Sequence, residues 1–295
     1  MMERRAPVIA VVGSANVDLV AYTPRVPGPG ETVIGDRFVV SPGGKGANQA
    51  VMARRLGAEV WFVARIGTDA YGDLTLADLV AEGVLVRFVE RVAEPTGVAP
   101  IWVEPDGTNR IVVIPGANDA WDPADAATPI ETVADLAIAI GQLEIPQRVT
   151  AAAFAAAKRR GAVTILNPAP AAPLLPELIE ATDWLIPNED EFEALAKAAG
   201  TRGATFHERV AAYAAESPAR LLVTLGANGA VLVQPDGSLV HVAAPTVTAL
   251  DSTGAGDAFV AAFALAITGG IDPLSAVASA NAVAAESVTR PGARG

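Results

Sequence analysis

The sequence has 295 residues, an apolar fraction of 51% and a formal net charge of −12. This length is typical of one large domain with or without a small appendage, and the apolar fraction is sufficient for a large core. The acidic excess disfavours a surface for nucleic acid or for an anionic membrane. The absence of cysteine excludes disulfides, thiolate nucleophiles and Cys-based metal sites, and the two histidines disfavour a multi-His metal centre or a Ser-His-Asp triad.

The first predicted element is a buried strand at Val8–Val12, which follows Arg4 and Arg5. This apolar run is too short for the core of a signal peptide and has no cleavage site after it. No other stretch approaches the roughly 18 uncharged apolar residues that a membrane span requires. We therefore expect a cytoplasmic protein that does not enter a membrane.

Short apolar runs then alternate with helical patterns along most of the chain. Further strands are predicted at Val60–Arg65, Leu136–Ile140, Val163–Leu166, Trp184–Ile186 and Leu221–Thr224. Helices, each followed by a glycine, are predicted at Gly46–Leu56, Leu74–Glu82, Ala151–Arg160 and Glu189–Ala199. This alternation predicts an α/β fold with a doubly wound, mostly parallel sheet, whose ligands bind beyond the carboxyl ends of the strands.

Two segments, Glu31–Val40 and Thr96–Pro115, interrupt this alternation with patterns typical of antiparallel strands. Pro105-Asp106-Gly107 is predicted to form a hairpin turn inside the second segment. We expect one domain over residues 1–295, with insertions at about 17–42 and 96–116 that form a small antiparallel β lid. Such a sheet would serve as a lid, as a dimer surface, or as both.

The segment DSTGAGD, Asp251–Asp257, precedes an uncharged apolar run that is predicted to be a buried helix. Gly254 and Gly256 leave backbone N–H groups open to an anion at the helix N-terminus, and Asp257 follows in the first turn. A phosphate cradle beside a carboxylate suits phosphoryl transfer to a hydroxyl. Ordinary capping explains the same residues, although no other charge occurs from residue 258 to 271. The helix dipole and the amides are expected to lower the pKa of Asp257.

A second glycine-rich cluster, GGKGANQA, occupies Gly43–Ala50 before a predicted helix. Its glycines would let a ligand approach the backbone closely, and Lys45 and Asn48 add directed polar groups. The cluster is not a Walker A loop, because Gly46 follows the lysine and the required spacing is absent. A glycine-rich turn with solvated polar residues is the alternative interpretation.

Polar residues also follow several of the predicted strands. Asn16 and Asp18 lie two residues apart after the first strand, so in an extended segment they point the same way and suit vicinal sugar hydroxyls. An Asx-turn is the alternative. Asn188 and Glu191 have capping-box spacing and are also suited to hold Mg²⁺ through water. The backbone of Thr224–Gly229 is suited to pass by a phosphate or a ribose.

Together these motifs resemble the ribokinase group of the PfkB family of sugar kinases, over essentially the whole chain. The matching segments, in the family's order, are GSANVD (13–18), GGKGANQA (43–50), GTDAYG (67–72), PTGVA (95–99), PGAN (115–118), NPAPA (167–171), PNEDE (187–191), TLGANG (224–229) and DSTGAGD (251–257). The motifs GGKGAN and DSTGAGD together are highly specific for the family.

The resemblance implies a role for each matching position. The sugar hydroxyls would be held by Asn16, Asp18, Gly43, Gly44, Lys45, Asn48 and Glu144. The anion hole would be formed by Gly254, Ala255 and Gly256, with Asp257 as the base. The nucleotide and Mg²⁺ side would comprise Asn188, Glu191, Thr224, Gly226 and Gly229, with Asn281 near the adenine. A monovalent cation, K⁺, would be held in part by Asp251, Thr253, Ser287 and Gly292.

Two positions depart from the family pattern. Ser252 stands where the family usually has threonine, which is a mild change. Related sequences continue past the position of Gly295, so one expected K⁺ ligand lies outside this sequence and K⁺ dependence is left open.

The expected activity is transfer of the ATP γ-phosphoryl group to the 5-hydroxyl of D-ribose, by a homodimer that pairs through the lid. One alternative is the same chemistry on deoxyribose, fructose or a nucleoside. Another is a sugar-binding regulator that has lost catalysis. Loss of the base or of an anion-hole glycine would indicate the regulator, and the sequence retains all of them.

Overall fold

The computed structural model describes residues 6–294. Its strands are β1 (Val8–Val12), β2 (Asn16–Tyr22), β3 (Arg37–Gly43), β4 (Glu59–Gly67), β5 (Leu85–Val92), β6 (Gly97–Val103), β7 (Asn109–Ile111), β8 (Leu136–Gly141), β9 (Val163–Leu166), β10 (Trp184–Leu185), β11 (Arg220–Thr224), β12 (Ala230–Val233) and β13 (Leu239–Val242). Its α-helices are α1 (Lys45–Arg55), α2 (Ala70–Ala81), α3 (Pro123–Thr132), α4 (Gln147–Arg159), α5 (Pro176–Glu180), α6 (Glu189–Ala198), α7 (Phe206–Glu216), α8 (Ala255–Thr268) and α9 (Pro273–Ser287).

The main sheet has the strand order β13-β12-β11-β10-β9-β8-β1-β4-β5. All neighbours pair in parallel except β11 with β12 and β12 with β13. From β1 the chain builds outward through β4 and β5, and it then continues on the other side of β1 with β8. The gap beyond β1 and β8 is therefore the switch point at which doubly wound sheets bind ligands. The predicted fold class is confirmed.

Both faces of the main sheet are covered, which explains why β1 is apolar at every position. Ile9 and Val11 belong to one buried cluster, which includes Phe263 of α8. Ala10 and Val12 belong to the other, with Phe154 of α4. The two clusters hold α1 and α8 on one face and α4 on the other, and so fix where their N-termini reach the switch point.

The second sheet is small and separate, as predicted, with the order β3-β2-β6-β7. The β2–β3 and β6–β7 pairs are antiparallel, whereas β2 pairs with β6 in parallel, which the sequence did not indicate. The hairpin turn is confirmed, because the Gly107 N–H donates to the Glu104 carbonyl at 2.9 Å. β3 begins at Arg37, six residues after the start of the predicted segment at Glu31.

Other elements differ from prediction at their ends or were not predicted. α4 begins at Gln147, four residues before the predicted Ala151, because Pro146 precedes it as the N-cap. The edge strands β5 and β13, the adjacent strand β12 and the helices α3, α5, α7 and α9 were not predicted. Arg4, Arg5 and Gly295 lie outside the described residues. Between residues 6 and 294, no helix combines the length and apolarity needed to cross a bilayer.

Candidate active site

Asp257 lies in the first turn of α8, as the sequence predicted, and is only 6% exposed. Gly254 caps this helix with φ +77°, a conformation that glycine adopts without strain. A Cβ at Gly254 would also lie 1.9 Å from the Ala293 carbonyl oxygen, so any larger residue would collide with the backbone. Gly254 is therefore required at this position both for its positive φ and for lack of space, and no side chain of its own caps the helix.

Two amide side chains hold the carboxylate of Asp257. Asn48 Nδ2 donates to Oδ2 at 3.2 Å, and Gln49 Nε2 donates to Oδ1 at 2.9 Å. Burial raises the pKa of Asp257, while Lys45 and these two amides act in the opposite direction. The prediction of a lowered pKa was therefore wrong, because loss of solvent outweighs the favourable charges and hydrogen bonds around this carboxylate.

Asn16 and Asp18 lie on β2, paired with β3, so the Asx-turn alternative does not apply. Asn118 Nδ2 donates to Asn16 Oδ1 at 2.7 Å. Burial and the nearby charge of Glu144 raise the pKa of Asp18 from 3.8 to about 6, and Arg294 offsets part of this effect. A half-buried carboxylate of this kind favours a ligand that can donate hydrogen bonds to it.

The glycines Gly43 and Gly44 make room for these two side chains. A Cβ at Gly43 would lie 2.4 Å from Asp18 Oδ2, and one at Gly44, where φ is +89°, would lie 2.7 Å from the Asn16 backbone nitrogen. The GGKGANQA cluster is therefore a close-packed wall and the start of α1, and a solvated turn is excluded.

Glu144 follows β8 and joins the two sides of the switch point. Its Oε2 accepts from Ser14 Oγ at 2.5 Å and from the Lys45 backbone N–H at 2.9 Å. We call residues 13–18, 43–49 and 142–144 the inner half of the site. Each of these residues is buried or half-buried.

The outer half of the site comprises residues 188–191, 224–229 and 251–256, in which only Gly229 is buried. Asn188 and Glu191 form the predicted capping box, with the Glu191 N–H donating to Asn188 Oδ1 at 2.8 Å and the Asn188 N–H donating to Glu191 Oε2 at 2.9 Å. They also line one cleft together with Lys45, Thr224 and Asp257. Burial raises the pKa of Glu191.

A sequence profile described as pfkB family carbohydrate kinase matches residues 7–295. The chain belongs to this family. It is 40% identical to a ribokinase of Bacillus subtilis, over 97% of this chain and 94% of that protein, and 37% identical to a deoxyribokinase of Salmonella typhi, over 96% and 93%.

Solved structures support the assignment of this pfkB-family chain. The crystal structure of a ribokinase from Thermotoga maritima matches with a TM-score of 0.88 and 37% identity, over 98% of this chain and 95% of the other. The structure of an Arabidopsis thaliana ribokinase complexed with ribose and ATP matches with a TM-score of 0.88 and 34% identity, over 98% and 94%.

The remaining residues implied for the nucleotide side have clear local roles in this pfkB-family kinase. Gly229, at φ +91°, packs against the end of β13, where a Cβ would lie 2.1 Å from the Val242 carbonyl oxygen. Asn281 Nδ2 donates to that same carbonyl at 2.9 Å. Gly226, at φ +55°, has open space around it. Contact of these residues with a nucleotide stays a prediction.

The residues implied for the cation come from two loops and the end of α9, and only three of them are joined by hydrogen bonds. Asp251 accepts at 2.9 Å from the backbone N–H groups of both Thr253 and Gly292, which ties the loop before α8 to the loop after α9. The hydroxyl of Ser287 donates to the Ala284 carbonyl inside α9. Residues 6–294 contain no cluster of three or more acidic or histidine side chains suited to a metal. The side-chain atoms that could bind a cation here are oxygens, which are the ligands that an alkali cation prefers.

Several residues in the site were not singled out from the sequence. Gln49, Asn118 and Asn167 occur in the matching motifs but received no role. Gln142 directly follows the apolar strand β8 and is fully buried. A polar residue at the end of an apolar run is the sequence signal that could have indicated it, because buried polar groups need hydrogen-bond partners. Arg294, whose Nε donates to Asn48 Oδ1 at 2.9 Å, carries no motif that would have indicated it.

Proposed function

We propose that this pfkB-family kinase is an ATP-dependent ribokinase, which transfers the γ-phosphoryl group to the 5-hydroxyl of D-ribose. The observation that carries the proposal is the buried carboxylate of Asp257 at a glycine-shaped helix N-terminus, between the inner and outer halves of the site. The ribokinase relatives from Bacillus subtilis and Arabidopsis thaliana support ribose as the acceptor and ATP as the donor.

In the proposed reaction, the ribose hydroxyl oxygen forms a bond to the γ-phosphorus as the bond to the β-phosphate oxygen breaks. Asp257 accepts the hydroxyl proton, and ADP leaves. Burial raises the pKa of Asp257, which brings it nearer to working pH and makes it a better general base. The backbone N–H groups of Gly254, Ala255 and Gly256 stabilise the charge on the transferring group.

The inner half would bind the sugar. We propose that its hydroxyls are held by Asn16, Asp18, Gly43, Gly44, Lys45, Asn48 and Glu144. Because Asn118 occupies the oxygen of the Asn16 amide, the NH₂ group of Asn16 remains to donate to a hydroxyl oxygen. Asp18, with its carboxylate, accepts from hydroxyls, so the pair matches a vicinal diol.

The outer half would bind ATP and its magnesium ion. We propose that Asn188, Glu191, Thr224, Gly226 and Gly229 lie along the nucleotide, with Asn281 near the adenine. Glu191 uses Oε2 in the capping box and keeps Oε1 for a water of hydration, which suits the oxygen preference of Mg²⁺. Bound Mg²⁺ would neutralise phosphate charge.

The loop held by Asp251 would take up K⁺ in part through Asp251, Thr253, Ser287 and Gly292. A cation there would lie beside the anion hole, because Thr253 directly precedes Gly254. Its contribution would be electrostatic and structural. Turnover in K⁺ and in a tetramethylammonium salt of equal ionic strength measures it directly, and equal rates would remove the cation from the proposal.

The second sheet would close over the sugar and pair two chains. β2 carries Asn16 and Asp18, and β3 ends at Gly43, so this sheet is continuous with the proposed sugar site. Phe38 and Ile34 on its segments are 62% and 83% exposed, which favours a partner surface. Sedimentation of the protein and of Phe38→Asp tests a homodimer. A cytoplasmic location is proposed from the ATP supply there and is tested by cell fractionation.

The proposal is tested by measuring ADP release with ATP–Mg²⁺ against ribose, deoxyribose, fructose and adenosine, and by locating the new phosphate by NMR. We expect kcat/KM to be highest for ribose, with the phosphate on the 5-oxygen. Highest kcat/KM for deoxyribose, the acceptor named for the Salmonella relative, would reassign the substrate within the family. Sugar binding without turnover would favour the regulator.

A further inference from the structure

Gln49 lies behind the proposed base and is fully buried. Its single NH₂ group donates to two acceptors, Asp257 Oδ1 at 2.9 Å and Asn167 Oδ1 at 3.1 Å. Its amide oxygen accepts from Gln142 Nε2 at 2.5 Å. The side chain thus donates both of its N–H groups and accepts one hydrogen bond within the protein, and its full burial leaves no N–H for a ligand.

The orientation of the Gln49 amide is fixed without reference to Asp257. The Ile186 carbonyl can only accept, so Asn167 must turn its NH₂ group toward it, and it does so at 2.9 Å. The Asn167 oxygen then faces Gln49, which must present NH₂ in return. From the other side, Gln142 presents its NH₂ group to the Gln49 oxygen. We call Ile186 O, Asn167, Gln49 and Gln142 the amide relay.

The far end of the amide relay has an unusual feature. Gln142 is fully buried, and its Oε1 accepts no hydrogen bond from any group of residues 6–294. A buried acceptor without a partner is unfavourable, and turning the amide over is the usual remedy. Here that turn would set the Gln142 oxygen against the Gln49 oxygen. The protein therefore tolerates the orphaned acceptor to keep the relay in one direction.

We propose that Gln49 is a positioning residue for Asp257, and that Gln142 acts on the base only through Gln49. The relay keeps an N–H donor against Oδ1 throughout the reaction, which orients the carboxylate and stabilises its ionised form. This inference rests on the proposed phosphoryl transfer. The role of Gln49 differs from that of Asn48 because Gln49 is enclosed by protein groups and cannot reach a substrate.

The first test is the kcat and the sugar KM of Gln49→Met, which keeps the side-chain length and removes the donor. We expect kcat to fall by about 10- to 100-fold, since misplacement of a catalytic group has effects of this order, and KM to change by less than about threefold. Gln147→Met is the matched control, because Gln147 also makes two side-chain hydrogen bonds but lies on α4, outside both halves of the site. It should keep full kcat, and thermal unfolding shows that each variant is folded.

The second test is a double-mutant cycle. Gln142→Met should lower kcat by a few-fold in the wild-type background. It should cause no additional loss in the Gln49→Met background, because Gln142 acts on Asp257 only through Gln49. Gln49→Met should likewise have little added effect in Asp257→Asn. Losses that multiply in either pair, or full kcat in Gln49→Met, would overturn the inference.

A third readout separates this inference from the proposed function. The carboxyl ¹³C signal of Asp257 should titrate at higher pH in Gln49→Met than in the wild-type protein, since a donor to the charged form is lost. An unchanged titration contradicts the relay even if the enzyme is active. A wild-type protein without sugar-kinase activity contradicts the proposed function, and the titration still decides whether the relay holds Asp257.

Discussion

The inner and outer halves of the site are built in opposite ways. In the inner half, polar side chains such as Asn16 and Asn48 are buried and held by hydrogen bonds to other protein side chains, Asn118 and Asp257 respectively. In the outer half, Gly226, Ser252 and Gly256 are exposed. The inner half therefore presents fixed side chains, and the outer half presents accessible backbone.

This difference corresponds to two kinds of recognition. Fixed side chains distinguish one arrangement of hydroxyl groups from another, because a buried group left unpaired by the wrong ligand is costly. Backbone N–H groups at a helix N-terminus attract phosphate charge with little dependence on side chains. Asp257 lies at the border, with its carboxylate held from the inner half and its helix N-terminus belonging to the outer half.

The largest effect is expected at this border. Asp257→Asn should lower kcat by about 10²- to 10⁴-fold, since it removes the proposed general base, and should leave the fold intact. Steady-state kinetics and thermal unfolding measure both. Near-normal turnover in this variant would show that Asp257 is not the base, and would contradict its proposed role between the two halves of the site.

The next effect separates the two halves. Asp18→Asn should raise the ribose KM by about 10- to 100-fold, the loss expected for hydrogen bonds to a charged group, while the ATP KM changes little. Both constants come from the same kinetic experiment. Equal losses for ribose and ATP would mean that the inner half does not bind the sugar alone.

The pH dependence sharpens this prediction. Because the pKa of Asp18 is raised from 3.8 to about 6, the free protein loses the carboxylate as pH falls below 6, and ribose affinity should fall by up to about tenfold per pH unit there. Calorimetric titration of ribose from pH 5 to 8 measures this. Asp18→Asn should show a flat profile, and an unchanged slope in that variant would assign the titration to Glu144 or another group.

The free energy of unfolding should change with pH in the opposite direction to the ribose affinity. The folded chain holds the Asp18 proton more tightly than the unfolded chain, so the stability contribution of this group is lost as pH rises from about 4 through 6. The free energy of unfolding of Asp18→Asn should therefore exceed that of the wild-type protein at pH 7 by about 1–3 kcal/mol, in the absence of ligand. A less stable variant would contradict the assigned pKa direction.

The smallest effect is expected in the outer half. Glu191→Gln keeps the side-chain oxygen that accepts in the capping box but removes the charge, so the Mg²⁺ concentration for half-maximal rate should rise about 3- to 10-fold. The ribose KM should stay the same. Magnesium titration at fixed ribose measures both, and a change confined to ribose would reverse the roles of the two halves.

The fold and the position of the proposed base, Asp257, were predictable because their signals are local. The apolar run of β1 and the glycines before α8 each depend on neighbours in the chain. The edge strand β5 was missed because its exposure is mixed along its length and its apolar pattern is weak. The parallel pairing of β2 with β6 joins segments about 80 residues apart, which no local pattern specifies.

The amide relay shows why part of the site was not predictable. Gln49 and Gln142 are 93 residues apart, and their contact exists only because α1 and β8 meet at the switch point. The pKa direction of Asp257 failed for a related reason. The sequence indicates a helix N-terminus, which favours a lower pKa, but it does not show that the Asp257 side chain is buried, and burial is the largest effect on its pKa.

The division of the site is tested most directly by NMR of backbone amides with each ligand alone. Ribose alone should shift signals from residues 13–18 and 43–49, and ADP–Mg²⁺ alone should shift signals from residues 188–191, 224–229 and 252–256. Asp257 should respond to both, as a residue at the border of the two halves. Ribose shifts confined to the outer half, or none in the presence of saturating ribose, would contradict the account.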